Sequence, residues 1–282
     1  MGNYYYMMAG LPDIELADTQ PGITFKELRE LCEEQLSPSD AKLVGNYLYL
    51  RQDCTNLVLL LKDPNAQIDV WGNYSLEQLR DLITSATELN FNVHRYPAFM
   101  SIFAREYSYN KDTKGYFPED EILYQFYNYA IQNCPNKFIR DWNQLNLDIT
   151  NILTAMLARK QGWSVADFIK GEGEVQEMIR ENKTKDFDLT HEFDYVKSLV
   201  QIVDEEDPVK KEKMIDAFKW MWLDEKTFFN PFSLEAVYAY ICKLEMLYRW
   251  AKLDPETGKE TFKQIIENLR GEAKVPEEFI QK

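Results

Sequence analysis

Asp53-Cys54-Thr55-Asn56-Leu57-Val58 and, further along, Asp148-Ile149-Thr150-Asn151-Ile152-Leu153 carry the same polar phrase in the same apolar frame. The frame extends beyond the phrase. Tyr47, Leu50, Cys54, Leu57 and Leu61 correspond at one constant offset to Trp142, Leu145, Ile149, Ile152 and Met156, and both rows step by three and four residues. That spacing is one face of a helix packed against neighbours. A phrase that recurs together with its stripe predicts a duplicated helical unit.

Capping signals bound several helices around these stripes. Thr24 with Glu27 forms a capping-box pattern, after which Phe25, Leu28, Leu31 and Cys32 mark a helix face reaching about Leu36. Ser37-Pro38-Ser39-Asp40 starts the next helix, which carries the first phrase and ends at Asp63-Pro64-Asn65. A helix follows Ser75, another spans His94 to Tyr107, and residues 119–156 are helical with a break at Cys134-Pro135. Gly162-Trp163-Ser164-Val165 echoes Asn73-Tyr74-Ser75-Leu76, which gives the duplication a second part. Residues 170–213 are charge-rich and read as solvent-facing helices and connections, whereas 217–222 is strongly apolar. The last patterned helix follows Asn230-Pro231. The opening residues 3–14 read as a short buried strand or a first helical turn.

Alternating β-branched runs are scarce, and the patterned segments are rich in Ala, Leu, Glu, Lys and Met. The expected fold is all-α, built from internally repeated helical bundles with two clear copies and a third possible. The pseudo-repeats span approximately 24–109, 119–213 and 214–282.

Among 282 residues, 47 are acidic and 32 basic, giving a net charge of −15 that opposes nucleic acid and anionic lipid. No apolar run approaches the ~20 residues of a membrane span. No secretory pattern opens the chain, so a cytoplasmic protein without direct membrane insertion is expected. The cysteines at 32, 54, 134 and 242 are scattered, and reduced buried thiols are expected rather than disulfides or a zinc site.

Each candidate for chemistry has a competing structural role. Asp53 with Asn56, and Asp148 with Asn151, stand one helical turn apart beside the apolar stripe. As struts they would bond nearby helix ends or loops; as chemistry they would be catalytic carboxylates or metal ligands. The strut is favoured, because no histidine lies near either pair in sequence. Asn110 to Gly115 with Glu121 imitates a calcium loop, but Asn110 at the first position and Lys114 at the fifth favour a plain glycine turn. Asp204-Glu205-Glu206-Asp207 reads as a solvated charge run. His94 and His191 are the only histidines, and no phosphate-binding glycine loop, nucleophile elbow or Cys-x-x-Cys occurs. No catalytic residue, metal site or cofactor is expected. Tyr4-Tyr5-Tyr6 and Trp220-Met221-Trp222 cannot all point inward from a single helix, so some of these rings are expected to meet another helix or protein.

Residues 230–247, NPFSLEAVYAYICKLEML, resemble the closing helix of the C-type connector family of V-type ATPases (the d-type connector of eukaryotes), with Tyr240, Lys243 and Glu245 as its signature residues. The Asp-x-x-Asn phrase at 53–56 and 148–151 is similar to that family's bundle helices. Asn3-Tyr4-Tyr5-Tyr6 through Leu11-Pro12-Asp13 also resembles the start of an uncharacterised bacterial family encoded beside V-type ATPase subunits. The resemblance implies a non-catalytic central-stalk connector that sits on the membrane rotor ring and receives the central shaft, coupling ion transport to ATP turnover. Its partners would be the shaft subunits and the ring, and it would be peripheral to the membrane through the complex. The alternative is a stand-alone cytoplasmic helical adaptor that grips a peptide through its aromatics. An enzyme built on Asp53, Asp148 or the run 204–207 comes third.

Overall fold

The structure, a computed structural model, describes residues 4–18, 20–86, 95–113 and 115–253. The protein is all-α, with no strand among the described residues. The opening segment forms α1 (Tyr5–Gly10), a helix rather than a strand, followed by α2 (Phe25–Gln35). The Thr24–Glu27 capping box forms, each side chain accepting from the other residue's backbone N–H. Next come α3 (Pro38–Val44), a π-helical turn (Gly45–Tyr49) and α4 (Leu50–Lys62), so the expected single helix holds one wide turn. After α5 (Leu76–Ala86) stand α6 (Ala98–Asn110), α7 (Pro118–Asn133) and α8 (Lys137–Lys160). Residue 94, the expected start of the aromatic-rich helix, lies outside the described residues; α6 itself begins after Pro97.

The chain divides into two compact units, Ser37–Asp148 and Met1–Leu36 with Ile149–Lys282. In the first, α4 packs against α5, α6 and α7. Leu50, Cys54, Leu57 and Val58 of α4 meet Leu79, Leu82, Met100, Phe103, Ile122 and Phe126 in one apolar core. Each such aliphatic or aromatic side chain contributes roughly 1.5–3 kcal/mol by leaving water. Both sequence stripes are inward faces: Tyr47, Leu50, Cys54 and Leu57 are buried with Leu61 partly so, and Trp142, Leu145, Ile149, Ile152 and Met156 are all buried.

The second unit holds α9 (Glu174–Glu181), α10 (Leu189–Glu192), α11 (Val196–Asp204), α12 (Pro208–Thr227) and α13 (Leu234–Leu253). The charge-rich region is amphipathic rather than wholly solvent-facing, since Val175, Ile179, Leu189, Val196, Leu199 and Ile202 are buried. α11 packs on α12 and α12 on α13. The echo at 162–168 differs from its sequence counterpart. Ser75 and Gln78 cap α5 reciprocally, whereas Ser164 caps nothing and precedes only a short 3-10 turn (Val165–Asp167). Asp167 stands three residues after Ser164 and is one methylene shorter than the Gln a capping box uses.

Candidate functional site

The first polar pair is a clamp on a loop. Asp53 and Asn56 are wholly buried on α4 and face residues 69–74. The Asn56 side chain reads Asp69 at both backbone groups, its Nδ2 donating to the carbonyl at 2.7 Å and its Oδ1 accepting from the amide at 3.0 Å. Asp53 accepts from the backbone amides of Asn73 at 2.9 Å and Tyr74 at 3.0 Å, and from the Asn73 side chain at 3.0 Å. Asn73 also donates to the carbonyl of Gly45 at 2.9 Å, at the π-helical turn. Gly72 lets the loop come this close to the carboxylate. A Cβ there would stand 2.9 Å from Asp53 Cγ and nearer still to Oδ1.

The second pair repeats the asparagine part of this arrangement. Asn151 reads Lys170 at both backbone groups, at 2.9 Å each, as Asn56 reads Asp69. Asp148 accepts at 2.9 Å from Gln144 one turn earlier on α8. The two asparagines therefore perform one identical task.

Burial and the neighbouring Asp53 charge push the Cys54 thiol well above its ordinary value, and the side chain lies in the apolar core. All four cysteines are free and buried, as expected. Burial, then the Asp53 carboxylate, raises the Tyr74 hydroxyl to about 12.

The signature helix, α13, anchors other segments of its own unit. Tyr240 donates to the Pro12 carbonyl at 2.9 Å, and burial, then Asp13, lifts its hydroxyl to about 12. Tyr248 donates to the Ile23 carbonyl at 3.0 Å. Lys243 pairs with Asp224 of α12 and lies over the Trp220 ring. Glu245 is a half-buried member of the same helix. Further along, buried Asp216 of α12 accepts from Trp250 Nε1 at 2.7 Å and pairs with Arg249.

The remaining motifs resolve locally. Asp207 of the charge run accepts from Val209 N and caps α12, while Glu205 pairs with Lys210. Gly115 has φ +83° and supplies the turn after α6; residue 114 lies outside the described residues. No group of three or more potential metal ligands occurs among the described residues, and none of their helices is long and apolar enough to cross a membrane.

The features least evident from the sequence are two small groups of exposed rings. Of Tyr4-Tyr5-Tyr6, Tyr4 is buried, Tyr5 is half-exposed and Tyr6 is 88% exposed. Tyr4 N donates to the Phe232 carbonyl at 2.8 Å, and the Tyr5 ring lies 4.7 Å from that of Phe232. In the turn before α13, Phe228 and Phe229 are 74% and 87% exposed and pack edge-to-face at 5.1 Å. Trp220 is instead buried and Trp222 half-buried. The signal that marks the second group is the Phe-Phe pair placed directly before Asn230-Pro231, where no helix continues to hide it.

No curated protein and no solved structure matches the chain. A family model described as a protein of unknown function, DUF2764, matches residues 1–273. That match spans nearly the whole sequence, and the chain belongs to the DUF2764 family.

Proposed function

We propose that this protein is a non-catalytic, helical connector that works through protein contacts, with the central stalk of a V-type rotary ATPase as its site of action. One observation supports the non-catalytic part: the buried side chains of Asp53, Asn56 and Asn151 hold loop backbone in place. Tyr240 and Lys243 serve the same end within their unit, so the signature helix acts as a frame. The rotary-ATPase assignment rests on the likeness of residues 230–247 to the C-type connector and of the opening residues to the family encoded beside such ATPases. Within that complex the protein would join the central shaft to the membrane ring, peripheral to the membrane, and transmit torque through shape.

Affinity purification of the tagged chain at native abundance tests the assignment. Shaft or ring subunits should co-purify in stoichiometric amounts, and repeated purifications that lack them would remove the ATPase from the proposal. The exposed rings at Tyr6, Phe228 and Phe229 favour a second reading, an adaptor that binds another protein outside any ATPase.

A further inference from the structure

We propose that the π-helical turn Gly45–Tyr49 is a two-position joint set by loop 69–74. With the Asn73 amide on the Gly45 carbonyl the turn stays wide and Tyr47 holds the end of α7; when the loop leaves, the turn closes to the α pitch and Tyr47 lets go. The inference goes beyond the connector reading and stands whether or not the ATPase assignment does.

Residues 38–62 are helical without a break, and Val44 and Leu50 on either side of the turn keep right-handed helical backbone. At the turn the bond reaches five residues back, from Leu50 N to the Gly45 carbonyl. Such turns are rare, and a side chain that reaches into the helical ladder is one recognised cause. Asn73 Nδ2 is such a group, donating to the Gly45 carbonyl at 2.9 Å and to Asp53 Oδ2 at 3.0 Å. One amide thus ties the turn to the clamp further along the same helix. A Cβ at Gly45 would stand 3.2 Å from Asn73 Oδ1, so glycine leaves the room this approach needs. Tyr47, within the turn, donates its hydroxyl to the Asn133 carbonyl at 3.1 Å and stacks its ring 5.8 Å from that of Tyr129. Asn133 is the last residue of α7, where helix carbonyls lack partners of their own, so Tyr47 caps that end.

The second polar phrase is an internal control. At the offset that aligns Asp53 with Asp148, the wide turn corresponds to residues 140–144 of α8, and these are plain α-helix. Arg140 stands in the place of Gly45, and Asp148 accepts from Gln144 of its own helix. Asn151 still grips its loop. The asparagine clamp alone therefore does not widen a helix, and the wide turn goes with the amide of Asn73. That pin can be withdrawn. Asn73 is exposed, so its amide can exchange the Gly45 carbonyl for water, and the neighbouring Val70 leaves the loop reachable from outside. Closing the turn by one residue swings residues 45–49 by about 100° relative to α4 and takes the Tyr47 hydroxyl off Asn133. A displacement at loop 69–74 is thereby read at the end of α7.

The test uses the full-length chain, with NMR of tyrosine-labelled protein and urea unfolding. In Asn73→Ala the ring-to-ring NOEs between Tyr47 and Tyr129 should be lost while circular dichroism stays unchanged. A double-mutant cycle gives the second readout. Tyr47→Phe should lower the folding constant about fivefold in the parent chain and less than about twofold in Asn73→Ala, where the hydroxyl has already left Asn133. In a rigid turn the two losses would multiply instead. Tyr248→Phe, which removes the hydroxyl bond to Ile23 in the other unit, should cost the same factor in both backgrounds. Gly45→Ala crowds Asn73 at the carbonyl and should lose the same NOEs, so it carries the test if Asn73→Ala fails to fold. Intact Tyr47–Tyr129 NOEs in both variants, or Tyr47→Phe costing the same factor with and without Asn73, would overturn the proposal. Neither readout depends on whether ATPase subunits co-purify with the chain.

Discussion

Replacing Gly72 by alanine tests the clamp directly. The backbone there is outside the left-handed region, so alanine meets no conformational objection and the whole effect is steric. The new Cβ would lie 2.9 Å from Asp53 Cγ, inside the 3.0 Å limit real Cβ contacts respect, and Asp53 is fully buried with no room to withdraw. Either the carboxylate turns or the loop lifts, and both break some of the three hydrogen bonds Asp53 accepts from Asn73 and Tyr74. With about 1.5–3 kcal/mol for each bond to a charged group, losing two costs about 3–6 kcal/mol. That corresponds to a melting temperature lower by roughly 6–24 °C. Urea unfolding followed by circular dichroism measures it, and the double-mutant cycle assigns the cause. Asp53→Ala alone strands the amides of Asn73 and Tyr74 and costs about as much; in that background Gly72→Ala has nothing to strike and should cost under about 1 kcal/mol. Equal cost of Gly72→Ala in both backgrounds would refute the steric argument.

The two asparagines should behave alike. Asn56→Ala and Asn151→Ala each remove one donor and one acceptor from a loop residue and should cost about 2–4 kcal/mol in urea unfolding; a harmless substitution at either position contradicts the shared clamp. At high pH, burial foremost raises Tyr47, Tyr74 and Tyr240 to about 12 against an ordinary 10. Raised values favour the protonated, folded form, so the contribution of these tyrosines is constant below pH 10 and falls between pH 10 and about 12, while the raised Cys54 thiol starts the decline nearer its ordinary 9. A pH series of urea midpoints should show that onset, and a fall beginning well below pH 9 would point to other groups. Arg159 lies over the Phe187 ring at 3.7 Å and donates to the carbonyls of Thr184 and Asn182. Arg159→Lys keeps the charge but loses the planar fork, so thermal melting should register about 1–2 kcal/mol; an unchanged melt would mean the fork contributes nothing.

What the sequence makes legible here is what is local. The Thr24–Glu27 box, the Ser75 start and the two buried stripes are all decided within a turn or two of helix. The strut role of the polar pairs follows from chemistry, but the partner of Asn56 is the backbone of Asp69, and a backbone group leaves no letter to read. The π-helical turn is equally silent, because Tyr47, Leu50 and Cys54 step by three and four whether or not one turn is wide. Gly162-Trp163-Ser164 matches Asn73-Tyr74-Ser75 in its aromatic-serine pattern, yet only the second is followed by a residue long enough to close the box. The contact of Tyr5 with Phe232 depends on α1 meeting the turn before α13 across most of the chain, which no local window contains.

That long closure has a consequence for synthesis on the ribosome. Ser37–Asp148 emerges as one continuous stretch and can bury its core while the remainder is still being made. Residues 4–23 cannot finish folding then, because the hydroxyls that hold Pro12 and Ile23 belong to Tyr240 and Tyr248 and are among the last side chains to appear. The Tyr4-Tyr5-Tyr6 segment therefore waits for its contacts at Phe232 until the chain before α13 has been made. A stall before α13 leaves this segment without the contacts at Tyr240 and Tyr248 that hold it, and open to chaperones and proteolysis.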